Sequence, residues 1–178
     1  MQYTIKGGTL PYVTCTLQAG EAVYTESGGM SWMTTNLEMS TNMEGGLLGG
    51  LKRSLAGESM FMTTYTCTGG EGSITFASSF PGTILPISLQ QGQSIICQRS
   101  AFLAAERSVQ LEMFLQRKLG VGFFGGEGFI LQKISGPGLV FLEVDGSAEE
   151  VQLQAGQSLR VDTGCVALFT PSVSINIE

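Results

Sequence analysis

Apolar and polar residues alternate along this chain in short runs, the period-two pattern of half-buried β-strands. In the first half the alternation predicts strands at Tyr3–Lys6, Tyr12–Leu17, Ala22–Thr25, Leu37–Thr41, Ser59–Tyr65, Ser73–Phe76, Ile84–Leu89 and Ser94–Gln98. In the second half it predicts Val109–Phe114, Gly128–Ser135, Leu139–Val144, Ala148–Leu153, Ser158–Val161, Val166–Phe169 and Val173–Ile177. Turn residues separate these runs at hairpin distance, as in Phe80-Pro81-Gly82, Gly136-Pro137-Gly138 and the type I′ signal Asp145-Gly146. The stretches 47–55 and 116–124 break the alternation and leave room for one short helical turn at most. An all-β sandwich or barrel follows.

The strands are organised by a repeat. Leu17-Gln18-Ala19-Gly20-Glu21 returns as Leu89-Gln90-Gln91-Gly92-Gln93 and as Leu153-Gln154-Ala155-Gly156-Gln157. A second marker, Ala56-Gly57-Glu58-Ser59-Met60-Phe61-Met62, recurs as Gly125-Gly126-Glu127-Gly128-Phe129-Ile130-Leu131. These markers divide a single domain, residues 1–178, into units of about 17–88, 89–152 and a partial 153–178. Two facing units would cover each other's apolar faces, and the partial third would either close a sheet or wait for a partner edge.

Composition narrows the choice of partners. Only 13% of residues are charged while 43% are hydrophobic and 25 are glycine, which suits a turn-rich β protein that buries surface by forming a homo-oligomer. The net charge of −6 and nine scattered basic residues offer no stripe for a phosphate backbone, so nucleic acid is not an expected partner. No leader-like start and no run of eighteen apolar residues is visible, so the expectation is a cytoplasmic protein without integral membrane association.

The chain has no histidine, which removes Ser-His-Asp triads, Cys-His dyads and the common histidine-ligated metal sites together. Cys15, Cys67, Cys97 and Cys165 form no C-x-x-C pair and are expected to be reduced, mostly buried thiols. No catalytic residue, metal or cofactor is expected. The Gly45–Ser54 run fails the phosphate-loop pattern because Leu51 separates Gly50 from Lys52. Met30, Met33, Met39, Met43, Met60 and Met62 cluster with Trp32 in the first unit, as core filling or subunit contacts. Glu58 and Glu127 hold equivalent places after glycines, where a carboxylate can fix a turn or, across a pseudo-twofold axis, line a cleft. The candidate ligand contacts are therefore Gly57, Glu58, Gly125, Gly126, Glu127 and Gly128.

The segments Gly7-Gly8, Met43 to Leu48, Lys52 to Ser59 and Phe80 to Gly82, followed by Phe123 to Phe129, Leu131 to Gly138 and Val161 to Gly164, resemble the AIM24 family, also called DUF124. The resemblance implies a double-stranded β-helix fold, similar to that of the tryptophan RNA-binding attenuation protein, with no established catalytic residues. It implies no RNA binding. Two functions stay open: a non-enzymatic oligomeric scaffold or regulatory interaction protein, and a small-ligand-binding β-helix module.

Overall fold

The computed structural model describes residues 1–26, 28–43, 61–114 and 130–176. Among these the chain is all-β, with three antiparallel sheets, two single 3-10 turns and no closed barrel. The strands are β1 (Gln2–Lys6), β2 (Tyr12–Gln18), β3 (Ala22–Glu26), β4 (Met30–Met33), β5 (Leu37–Met43), β6 (Phe61–Cys67) and β7 (Glu71–Ala77). They continue as β8 (Gly82–Leu89), β9 (Ser94–Gln98), β10 (Phe102–Glu106), β11 (Gln110–Met113), β12 (Leu131–Ser135), β13 (Gly138–Asp145) and β14 (Leu168–Phe169). The first sheet runs β1-β2-β7-β4, the central sheet β5-β6-β3-β10-β13-β8, and the third β11-β12-β9-β14.

The apolar pattern explains the layering. In β2, Val13, Cys15 and Leu17 are buried while Tyr12, Thr14 and Thr16 are only half so, and the inward set joins Ile74 and Phe76 of β7 against Val23, Tyr65, Ala104 and Phe141 of the central sheet. The other face of the central sheet presents Phe102, Ala105, Val140 and Leu142 to Ile95, Cys97 and Ile134 of the third. Strand β13 serves both cores, Phe141 on one side and its neighbours Val140 and Leu142 on the other. Each of the buried Val, Leu, Ile and Phe side chains among these contributes about 1.5–3 kcal/mol relative to exposure.

Strands covered on both faces lose the alternation that marks half-buried ones. This is why β10, Phe-Leu-Ala-Ala-Glu with its first four residues buried, was missing from the predicted strands. Strand β4 escaped for another reason: it is short, lies at an edge, and carries a register shift between Met30 and Trp32 that scrambles its pattern.

Three predicted strands do not form. Ala148–Leu153 and Ser158–Val161 make no ladder, and neither do residues 173–176, with Ile177 outside the described residues. Asp145-Gly146 is not a hairpin turn. Gly146 instead donates to the Pro81 carbonyl at 3.2 Å and closes the end of the β8–β13 ladder. Phe80-Pro81-Gly82 likewise carries the chain from β7 in the first sheet to β8 in the central one. Gly136-Pro137-Gly138, with a cis Gly136–Pro137 bond, joins β12 to β13 as expected of a turn.

The repeated pentad builds the same turn three times. Its glycine takes a left-handed φ of +87° at Gly20 and +81° at both Gly92 and Gly156, where a side chain would be strained. The fifth residue donates its backbone N–H to the second residue's carbonyl at 2.9 Å, 3.0 Å and 2.9 Å in the three copies. Its side-chain oxygen accepts the second residue's N–H in return: Glu21 from Gln18 at 2.9 Å, Gln93 from Gln90 at 2.8 Å, Gln157 from Gln154 at 2.8 Å. The sequence repeat is thus a short-range hydrogen-bond motif that closes without tertiary help.

Candidate functional site

Gly57, Glu58, Gly125, Gly126, Glu127 and Gly128, the ligand contacts expected from the sequence, lie outside the described residues, as do the stretches 47–55 and 116–124. What the described residues bring together is different, and strand pairing organises it. In the first unit the strands flanking the pentad turn are clasped by a returning pair, β2 against β7 and β3 against β6. The second unit repeats this with β8 against β13 and β9 against β12.

Among the described residues the third unit has the turn but no returning pair. Its arm, residues 147–162, leaves β13 and passes through the Gln154–Gln157 turn without joining a ladder. Val151, Leu159 and Val161 are 55%, 55% and 46% exposed, and only Leu153 of the arm is half-buried. At its far end the arm is anchored. Asp162 accepts from Gly164 N at 2.9 Å and starts the 3-10 turn Thr163–Cys165, whose carbonyl region receives the Gln98 amide before β14 pairs with β9. The second unit passes through an equivalent 3-10 turn, Arg99–Ala101, into β10. Free sheet edges lie elsewhere on the chain, including β4, whose Trp32 is 53% exposed with its ring edge-to-face on Tyr12.

A cleft of about 510 Å³ opens where the three sheets meet. Its walls include Ala77 and Ser79 after β7, Glu26 ending β3, Arg99 and Ser100, Glu143 of β13, and Ile130 before β12. A bulge in β10 leaves Leu103 out of register with β13 and turns its carbonyl to the Thr25 hydroxyl, 2.5 Å away. Glu143 is almost fully buried, and its Oε2 accepts the Ser79 backbone N–H at 2.7 Å and shares the single Ser78 hydroxyl proton, 2.8 Å away, with the Phe80 carbonyl. Arg99 Nε lies 3.6 Å from Glu26 Oε1 at the rim. Sequence reasoning missed this group because Glu143 is a single polar residue inside an apolar run, a signal that marks a buried charge but not its surroundings.

A second charged group explains one departure from the repeat. Where the other copies have Gln93 and Gln157, the first has Glu21, whose Oε1 accepts from the Met1 ammonium at 2.8 Å while Oε2 closes the turn. Glu106 stands 3.9 Å from the same ammonium and accepts Leu139 N–H at 2.8 Å. The bond from the ammonium and then that from Gln18 hold the Glu21 carboxyl below its ordinary value, and the same Glu21 bond raises the amine. The four thiols are free, and burial pushes Cys15 and Cys97 up to about 12 while Cys165 is exposed. Among the described residues no three cysteines or carboxylates cluster to hold a metal ion, and no helix is long and apolar enough to cross a membrane.

Comparison with known proteins places these features in a lineage. Over 187 aligned residues the chain is 30% identical to an uncharacterized protein of Streptococcus pyogenes serotype M6, a match covering all of this chain and 74% of that protein. A crystal structure of another Streptococcus pyogenes protein superimposes with a TM-score of 0.68 at 31% identity, over 87% of this chain and 69% of that one. The model of the family described as mitochondrial biogenesis AIM24 matches residues 3–178, and the chain belongs to that family.

Proposed function

We propose that the chain is a non-enzymatic interaction protein that associates with copies of itself by strand addition, in the manner of a cytoplasmic scaffold or regulatory subunit. The observation that carries this reading is the third arm: two segments outside any ladder around a formed turn, with Val151, Leu159 and Val161 exposed. Backbone that lies outside any ladder and is flanked by apolar side chains is a template for another strand. Copies of the same chain carry matching free edges, among them β4 with the exposed Trp32. Low overall charge gives little repulsion against such contact.

Sedimentation equilibrium tests this. The wild type should form a defined multimer in the micromolar range, and Leu159→Lys combined with Val161→Lys should return it to a monomer without changing its circular dichroism. A wild type that stays monomeric at about 100 μM, where even weak specific contacts register, would overturn the reading.

A further inference from the structure

We propose that the cleft where the three sheets meet binds a small aliphatic amine, with its ammonium on the Glu143 carboxylate and its stem along Phe102, Leu103 and Ile130. The site is separate from the third arm and does not depend on self-association.

Charge carries the first step. Glu143 is 6% exposed, and its two partners, the Ser79 N–H and the shared Ser78 hydroxyl, are neutral. Among the described residues no lysine, arginine or amino terminus lies within ion-pair reach of it. A buried carboxylate costs several kcal/mol in desolvation unless a positive charge compensates it. Its other oxygen, Oε1, has no protein partner there, and because no buried side-chain oxygen is left unsatisfied, that atom opens onto the cleft. Among the described residues of the lining the one cation, Arg99, already faces Glu26, so two carboxylates stand against one guanidinium.

The surroundings say what kind of cation fits. Among the described residues no three carboxylates or cysteines gather to hold a metal ion, and Phe102, Leu103 and Ile130 line the same cleft as Glu143. Thr25 already donates to the bulged Leu103 carbonyl. A buried carboxylate without a cationic partner, with Phe102, Leu103 and Ile130 in the same cleft of about 510 Å³, matches a primary ammonium on a short hydrocarbon stem.

The test follows the methyl resonances of Leu103 and Ile130 in the wild-type chain during titration with pentylamine, 1-pentanol and pentanoate, three probes with one stem and different head groups. Pentylamine should give saturable shifts at both methyls while the alcohol and the acid give none. Glu143→Gln should weaken the amine about tenfold or more, the loss expected for a charge-assisted hydrogen bond. Arg99→Met, a change at the rim, should tighten it by freeing Glu26. No saturable shift at these methyls up to about 10 mM amine, the limit of weak specific binding, would overturn the proposal. So would equal response to 1-pentanol, shifts confined to other surfaces, or weaker amine binding by a folded Arg99→Met chain.

Discussion

The arm around Gly92 and the arm around Gly156 share a turn and differ in almost everything else. Both turns close through the same pair of hydrogen bonds and the same φ of +81°. Around Gly92 the flanking strands β8 and β9 are laddered to β13 and β12. Around Gly156 the flanks join no ladder and are mostly exposed. Turn geometry is therefore written locally, in five residues, whereas a strand exists only when a neighbour supplies its hydrogen-bond partners and a face to cover.

Thiol reactivity should show the widest contrast between these regions. Cys97 sits in β9, fully buried with its thiol pushed up to about 12, and Cys165 is exposed just past the open arm. In native protein at pH 8 a thiol reagent should modify Cys165 about a thousandfold faster than Cys97, since the thiolate is the reacting species and is scarce at Cys97. Mass-spectrometric mapping of the label checks this, and early labelling of Cys97 would mean that β9 opens as readily as the arm.

Truncation gives the next largest difference. Phe141→Ala in β13 removes a fully buried ring that packs against Tyr3 at 5.1 Å, and should cost about 3–5 kcal/mol in urea unfolding. Leu159→Ala should leave the unfolding midpoint of dilute protein within about 0.5 kcal/mol of wild type, as for an ordinary surface position. A large loss at Leu159 in dilute protein would show that the arm packs within its own chain.

Glycine replacements sharpen the same point. A Cβ at Gly92 or Gly156 meets no atom within 4 Å, so alanine at either place carries only the left-handed backbone cost of about 1–2 kcal/mol. Gly92→Ala should show that cost in global unfolding. Gly156→Ala should not, because its turn is not coupled to the cooperative core.

The smallest effect concerns Glu21, the one acidic member of the repeated turn. Its depressed carboxyl contributes stability above the unfolded carboxylate value, and loses it as pH falls through the lower folded value. The raised Met1 amine contributes fully below 8.0 and loses its part as pH climbs through its folded value. Glu21→Gln should keep the turn, as Gln93 and Gln157 do, and remove less than about 1 kcal/mol because the pair is partly exposed. Unfolding curves at pH 4, 7 and 10 should be separated less in the variant than in wild type.

Much of the β architecture was legible because half-buried strands such as β2 and β3 alternate cleanly, with burial following every second residue. The layering was not. That β10 and β13 lie between two cores depends on contacts with distant strands, and the only trace in the sequence is a run of consecutive apolar residues, Phe102–Ala105 and Leu139–Leu142. The alternation of Ala148–Leu153 and Ser158–Val161 is equally clear and forms no strand here, because pattern specifies a face and not the presence of a partner. The cleft was invisible for the same reason: Glu26, Ser79, Arg99 and Glu143 come from separate strands and turns that only the sheet order brings together.

Amide hydrogen exchange across 148–161 at two protein concentrations tests the central claim most directly, with the closed arm 82–98 as internal reference. In dilute protein the open arm should exchange much faster than β8 and β9, and at high concentration it should slow as copies pair with it. Strong protection of 148–161 in the dilute monomer, or exchange that stays fast at every concentration, would contradict the account.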